Sequence, residues 1–177
     1  FLSAVLGVKT NIIGLIEGIA EATSSVLKVF SGWLSDKLRS RKALTVAGYA
    51  LSALAKPFFY LASTWEAVAA IRWADRVGKG IRTAPRDALL ADDVKEEHRG
   101  LAFGLHRAAD TAGAMLGLLI AAFVVWRLQA GSAALKEQTF RTIVLISMVP
   151  AFLAVLVLAF GAKEVKPSGE AQKTRIT

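Results

Sequence analysis

Residues 72–92, RWADRVGKGIRTAPRDALLAD, constrain what this chain can fold into more than any other stretch. The stretch is bordered by long apolar runs, yet it carries five basic and three acidic side chains. On a helix, at about 100° per residue, Arg72, Asp75, Arg76, Lys79, Arg82, Arg86 and Asp87 fall within an arc of roughly 140°. Trp73, Val77, Ile81, Ala84 and Ala88 take the other side, and Gly78 and Gly80 offer room for a neighbouring helix to come close. From Arg72 to Arg86 such a helix rises ~21 Å, most of the hydrocarbon core of a bilayer. A charged stripe of that length cannot face lipid. It must face a water-filled path or a set of counter-charges.

The bilayer enters because 54% of the 177 residues are hydrophobic and the mean hydropathy is +0.48. Such a chain is too apolar for an ordinary soluble domain and fits an all-α, multi-span membrane bundle. The net charge of +8 would suggest a nucleic-acid partner in a soluble protein. Here the bases collect in loops between spans, so membrane lipid is the expected partner and nucleic acid is not. There is no cysteine, which excludes disulfides and thiolate metal sites. No histidine–carboxylate spacing suits a metal, and no cofactor or enzymatic activity is expected. VGKGIRT lacks the spacing of a phosphate-binding loop, so nucleotide binding is rejected.

Taken in order, residues 1–8 form an apolar stub that predicts the end of a span begun upstream. Its first residue is Phe, and no charged segment with a cleavage site is visible. Complete spans are expected at 11–34, 43–64, 67–92, 101–126 and 143–162. Pro57 is expected to interrupt the second and Pro85 to bend the third. Residues 127–140 read as a mixed polar loop and 163–177 as a linker or tail. Lys37, Arg39, Arg41, Lys42, Lys95, Arg99, Lys163, Lys166, Lys173 and Arg175 outnumber Lys9, Arg127, Lys136 and Arg141 on the opposite loops. Loops 35–42 and 93–100 and the tail are therefore expected on the cytoplasmic side.

Glu17 and Glu21 stand one turn apart on the 11–34 span, with Ser24 and Lys28 continuing their face. Together with Asp110 they can neutralise part of the stripe as a buried ion network. Lys28 and Arg107 leave the balance positive, which favours an anionic or zwitterionic solute. Histidine as a residue type suits proton transfer, but the place of His106 near a span end favours a hydrogen bond to a loop.

Several short strings resemble one family. Gly32-Trp33-Leu34-Ser35-Asp36-Lys37-Leu38-Arg39-Ser40-Arg41-Lys42 resembles the signature loop of the major facilitator superfamily. It departs at Arg39, where that family usually has glycine. Arg76-Val77-Gly78-Lys79-Gly80 resembles the family's R-x-x-Q-G motif, with Lys79 in place of glutamine. Glu97-His98-Arg99-Gly100 is similar to the loop between spans four and five. Gly113 and Gly117 are similar to the span-five antiporter motif, with Leu118 where proline is expected. The string GKGIRTAPRDAL resembles an efflux-like prokaryotic subgroup.

The resemblance implies a secondary transporter of two six-helix halves that works by alternating access. Residues 1–162 would be the N-terminal half, from the end of span one through span six, in the cytoplasmic membrane. Its spans one and four line the cavity, and the stripe found on the helical wheel lies on the fourth span. Proton-coupled export of a small solute is the expected activity, with Gly32, Asp36, Arg41, Lys42 and Arg99 forming a cytoplasmic gate latch. A second six-helix half is the implied partner. Two alternatives stay open: a half-size protein that acts only as a dimer, and a non-transporting scaffold or receptor. A soluble bundle is disfavoured, because residues 143–162 have no polar face to show to water.

Overall fold

The computed structural model describes residues 7–129 and 136–164. Regular structure within them is entirely helical: α1 (Thr10–Leu38), α2 (Arg41–Leu61), α3 (Trp65–Asp93), a single 3-10 turn at Glu96–His98, α4 (Arg99–Leu128) and α5 (Glu137–Gly161). The five expected spans are all present, and each helix outruns its apolar stretch at one end or both. The reason is that polar residues at a span end can still satisfy helical backbone bonds. Arg127, Leu128 and residues 137–140, expected in a loop, are consequently helical. Helices α2 and α3 also run without a break through Pro57 and Pro85. A proline removes only one backbone bond, and each helix has several turns on both sides to hold it. Gly7, at φ 63°, Val8 and Lys9 are not helical, and the rest of the expected first span lies outside the described residues. The tail beyond Glu164 also lies outside them.

Helices α1 and α2 are joined through Arg39 and Ser40. Arg39 makes the turn, at φ 51° and ψ 35°, in the left-handed region where glycine is the usual occupant. Thr64 starts α3, its Oγ1 accepting a hydrogen bond from the Ala67 N–H at 3.3 Å.

Helix α3 is the centre of the bundle, packed against both α1 and α2, while α5 lies on α2 and α4 stands at the edge against α5. Small residues permit the two tight crossings. A Cβ on Gly78 would come within 2.6 Å of Ser52 Oγ and 2.7 Å of the Gly48 carbonyl oxygen on α2. A Cβ on Gly80 would come within 2.8 Å of both Leu27 Cβ and the Ser24 carbonyl oxygen on α1. Ser31 Oγ completes the second crossing by donating to the Gly80 carbonyl at 3.0 Å.

The core holds Ser24, Ser31, Ser35, Thr45 and Ser52 with alanines and valines such as Val68 and Val124, while Val29, Leu118, Val149 and Phe160 point outward. That distribution is the reverse of a soluble protein and suits helices whose outer solvent is hydrocarbon. Among the described residues, three helices are long and apolar enough to cross a membrane: Arg41–Leu61, Glu96–Leu128 and Glu137–Gly161. Helices α1 and α3 match them in length, at 29 residues each, but carry their charges toward one another.

Candidate functional site

Gly78 and Gly80 are two residues apart, so their directions on α3 differ by about 160°. Gly78 meets α2 and Gly80 meets α1, which leaves α1 and α2 on nearly opposite sides of α3. The arc of charge predicted from the sequence falls between those two lines of contact.

Its first half forms a ladder with α1. Glu17 pairs with Arg72 and, at 3.6 Å, with Arg76. Glu21 pairs with Arg76 at 3.4 Å and with Lys79 at 3.5 Å. One-turn spacing on both helices lets acids and bases alternate along the seam. The Arg76 side chain is 24% exposed and those of Glu17 and Glu21 are 34% and 47% exposed, so the ladder is open along one edge.

The second half turns to α2. The Arg82 guanidinium lies 4.4 Å from the centroid of the Tyr49 ring and donates to Ser52 Oγ at 2.6 Å. Arg86 donates from Nε and one terminal nitrogen to Asp87 Oδ1, at 3.0 and 2.9 Å. The Asp75 carboxylate makes no ion pair among the described residues, although its backbone carbonyl accepts from Ser52 Oγ at 3.2 Å.

Asp110 and Arg107 do not join this network by contact. Both are exposed on α4, which barely touches α3, and neither forms an ion pair among the described residues. The counter-charge expected from Asp110 is thus missing from the stripe's direct contacts. His106, on the same helix, makes no hydrogen bond to a loop among the described residues.

At one end of the bundle the signature loop gathers four helices. Arg41 pairs with Asp92 at the end of α3, donates to the Ala88 carbonyl at 3.0 Å, and reaches Asp36 Oδ1 at 3.2 Å. The backbone N–H groups of Arg41 and Lys42 donate to the two carboxylate oxygens of Glu164, at 2.8 and 3.0 Å. That carboxylate beyond α5 thereby caps the N-terminus of α2, where negative charge is favoured. Arg99 donates to the Ala91 carbonyl at 3.1 Å and to Glu96 at 3.2 Å, tying α4 to the end of α3. Gly32 lies against Ala84, which a Cβ would approach to 3.4 Å. The Lys42 side chain forms no ion pair among the described residues.

Four participants escaped sequence reasoning: Tyr49, Ser52, Asp92 and Glu164. Asp92 stands roughly 160° from Arg72 on the wheel, off the charged arc. Tyr49 and Ser52 follow Gly48 on α2, and a small residue one turn from glycine was the available signal for a crossing. Nothing local distinguishes Glu164.

The sequence pattern of the Major Facilitator Superfamily matches residues 1–176. The chain is 38% identical over 156 residues to an uncharacterised MFS-type transporter of Methanocaldococcus jannaschii, covering 88% of this chain and 37% of that protein. It is 36% identical over 121 residues to an uncharacterised protein of Mycobacterium tuberculosis, covering 68% and 30%. It is 29% identical over 143 residues to the multidrug resistance protein MdtH of Cronobacter sakazakii, covering 73% and 33%. The chain thus spans about a third of the length of the curated relatives it matches. No solved structure matches it significantly. Family pattern, relatives and a bundle with its apolar side chains outward agree, and the chain belongs to the Major Facilitator Superfamily of multi-span membrane proteins.

Proposed function

We propose that this chain is part of the N-terminal half of a secondary transporter that exports a small anionic solute across the cytoplasmic membrane, driven by protons. Residues 1–162 form the half-domain and 163–177 the start of a linker, with loops 35–42 and 93–100 facing the cytoplasm. A second six-helix half closes the path, and rocking between the halves gives alternating access. Membership of the family supports transport, and the name of the Cronobacter relative, a multidrug resistance protein, favours efflux.

The observation that carries the coupling step is Arg76 shared between Glu17 and Glu21, at 3.6 and 3.4 Å. An arginine does not lose its proton under these conditions, so it needs a carboxylate or a solute anion. Two acids contending for one guanidinium are not equivalent. When one takes a proton, Arg76 shifts to the other, and this rearrangement couples protonation to release of the solute, so that proton entry and solute exit run in opposite directions.

The test uses the full-length protein in proteoliposomes under a pH gradient. Arg76→Ala is expected to abolish proton-driven flux in folded, inserted protein, and Arg76→Lys to impair it, since the planar fork is lost. A sharp fall in thermal stability with flux per folded molecule near wild type would reduce the ladder to a structural brace.

A further inference from the structure

Contact divides the stripe more sharply than its spacing does. Arg72, Arg76 and Lys79 hold Glu17 and Glu21, and Arg86 holds Asp87. Arg82 alone among the five bases of the stripe has no carboxylate in contact among the described residues.

Packing explains why Arg82 stays apart. Its backbone is wedged into the α2–α3 crossing: a Cβ on Gly48 would come within 2.6 Å of Arg82 Cβ. The root of the side chain is thus pinned on the α2 side, away from the glutamates of α1. The guanidinium carbon lies over the Tyr49 ring, and Ser52 accepts a single hydrogen bond. A guanidinium has five N–H donors, so most of the fork is left for another acceptor. A cation–π contact uses none of those donors, and two of them together grip a carboxylate or phosphate bidentately. Arg86, one turn along, adds a second positive charge on the same arc.

We propose that Arg82, backed by Tyr49 and oriented by Ser52, is an anion subsite that takes the carboxylate or phosphate group of the transported solute. The assignment rests on the transport function proposed above and adds a division of labour within it. The Glu17–Arg76–Glu21–Lys79 ladder handles the proton, and Arg82 handles the solute. A lipid phosphate has the same chemistry. Arg82 lies ~17 Å along α3 from its Asp93 end, which favours a solute in the path over a headgroup at the interface.

The experiment takes the full-length protein in phosphatidylcholine nanodiscs, with benzoate and inorganic phosphate as probes. Phenylglyoxal labelling of each arginine is followed by peptide mass spectrometry. Arg82 is expected to label faster than Arg72 and Arg76, and at least one probe to slow its labelling selectively. No selective protection by either probe overturns the subsite. Protection only in discs made with anionic lipid assigns the phosphate to lipid and overturns the solute assignment. As a second measurement, Arg82→Gln is expected to weaken probe binding about tenfold, read from ligand-induced thermal shifts, with a smaller loss in Arg82→Lys. Equal shifts in wild type and Arg82→Gln overturn the proposal. Flux separates it from the transport function: protected Arg82 without proton-driven flux defeats transport alone. Intact flux, competed equally by benzoate in wild type and Arg82→Gln, defeats the subsite alone.

Discussion

Arg39 shows what a single residue can be made to do by its neighbours. It holds φ 51° because α1 must end and α2 must begin within two residues. A left-handed conformation costs a residue with a Cβ about 1–2 kcal/mol, and glycine avoids most of that. Arg39→Gly is therefore expected to raise the melting temperature in detergent, and Arg39→Val to lower it. A lower melting temperature for Arg39→Gly would mean that the side chain contributes more than the backbone costs. The two acids that meet Arg41 also differ. Asp92 is only 15% exposed and Asp36 is 67% exposed. Asp92→Asn should cost about 3 kcal/mol or more, as a part-buried arginine loses its main partner. Asp36→Asn should cost under about 1 kcal/mol, as exposed pairs do. Denaturation of the two variants side by side checks the order. Asp36→Asn should instead shift the balance between inward- and outward-facing states, read from the accessibility of engineered cysteines in the second half.

At the scale of elements, the position of α3 depends on two glycines rather than on large apolar contacts. Gly80→Ala would place a methyl group 2.8 Å from the Ser24 carbonyl oxygen, and the helices would have to part. Gly18, on the same two-helix unit, has nothing within 4 Å of the corresponding position. Gly18→Ala is expected to be neutral or stabilising by up to about 1 kcal/mol, the ordinary helix preference for alanine. Gly80→Ala is expected to lower stability and to disturb the ladder, since the crossing sets the distance between α1 and the bases of α3. Thermal melting of both variants, with flux per folded molecule, distinguishes these outcomes. Equal behaviour of the two would show that the α1–α3 crossing tolerates a wider separation than its contacts imply.

For the whole molecule, the four-helix cluster around Arg41 joins the ends of α1, α2, α3 and α5. Glu164 is the piece that connects the last helix of this unit to the signature loop. Glu164→Gln keeps its size but loses the charge that suits the α2 N-terminus. It is expected to loosen the start of α2, seen as faster hydrogen exchange at Arg41 and Lys42, with little change elsewhere in the bundle. The open edge of the ladder has a further consequence. If the path is completed by a second half, as proposed above, residues 1–177 alone are expected not to transport. Robust flux from a demonstrably monomeric preparation of that chain would overturn this.

Sequence alone determined the all-helical bundle, because long stretches within a bilayer satisfy their backbones internally as helices. It also determined that Arg72 to Asp87 form one stripe, because helical periodicity fixes angular position regardless of what packs nearby. Glu17 and Glu21 were visible as partners for the same reason, being one turn apart on one face of their span. Only the tertiary structure decided which base meets which acid. That depends on where α1 and α2 cross α3, and the crossings are set by Gly48, Gly78 and Gly80 together with serines far away in the chain. Asp110 had the right charge and lay outside contact reach, whereas Asp92 and Glu164 had unremarkable positions and reached the gate loop. Charge pattern is a local property of a helix, and pairing is a property of distance between helices. Arg82 was assigned to the stripe by the first and separated from its neighbours by the second.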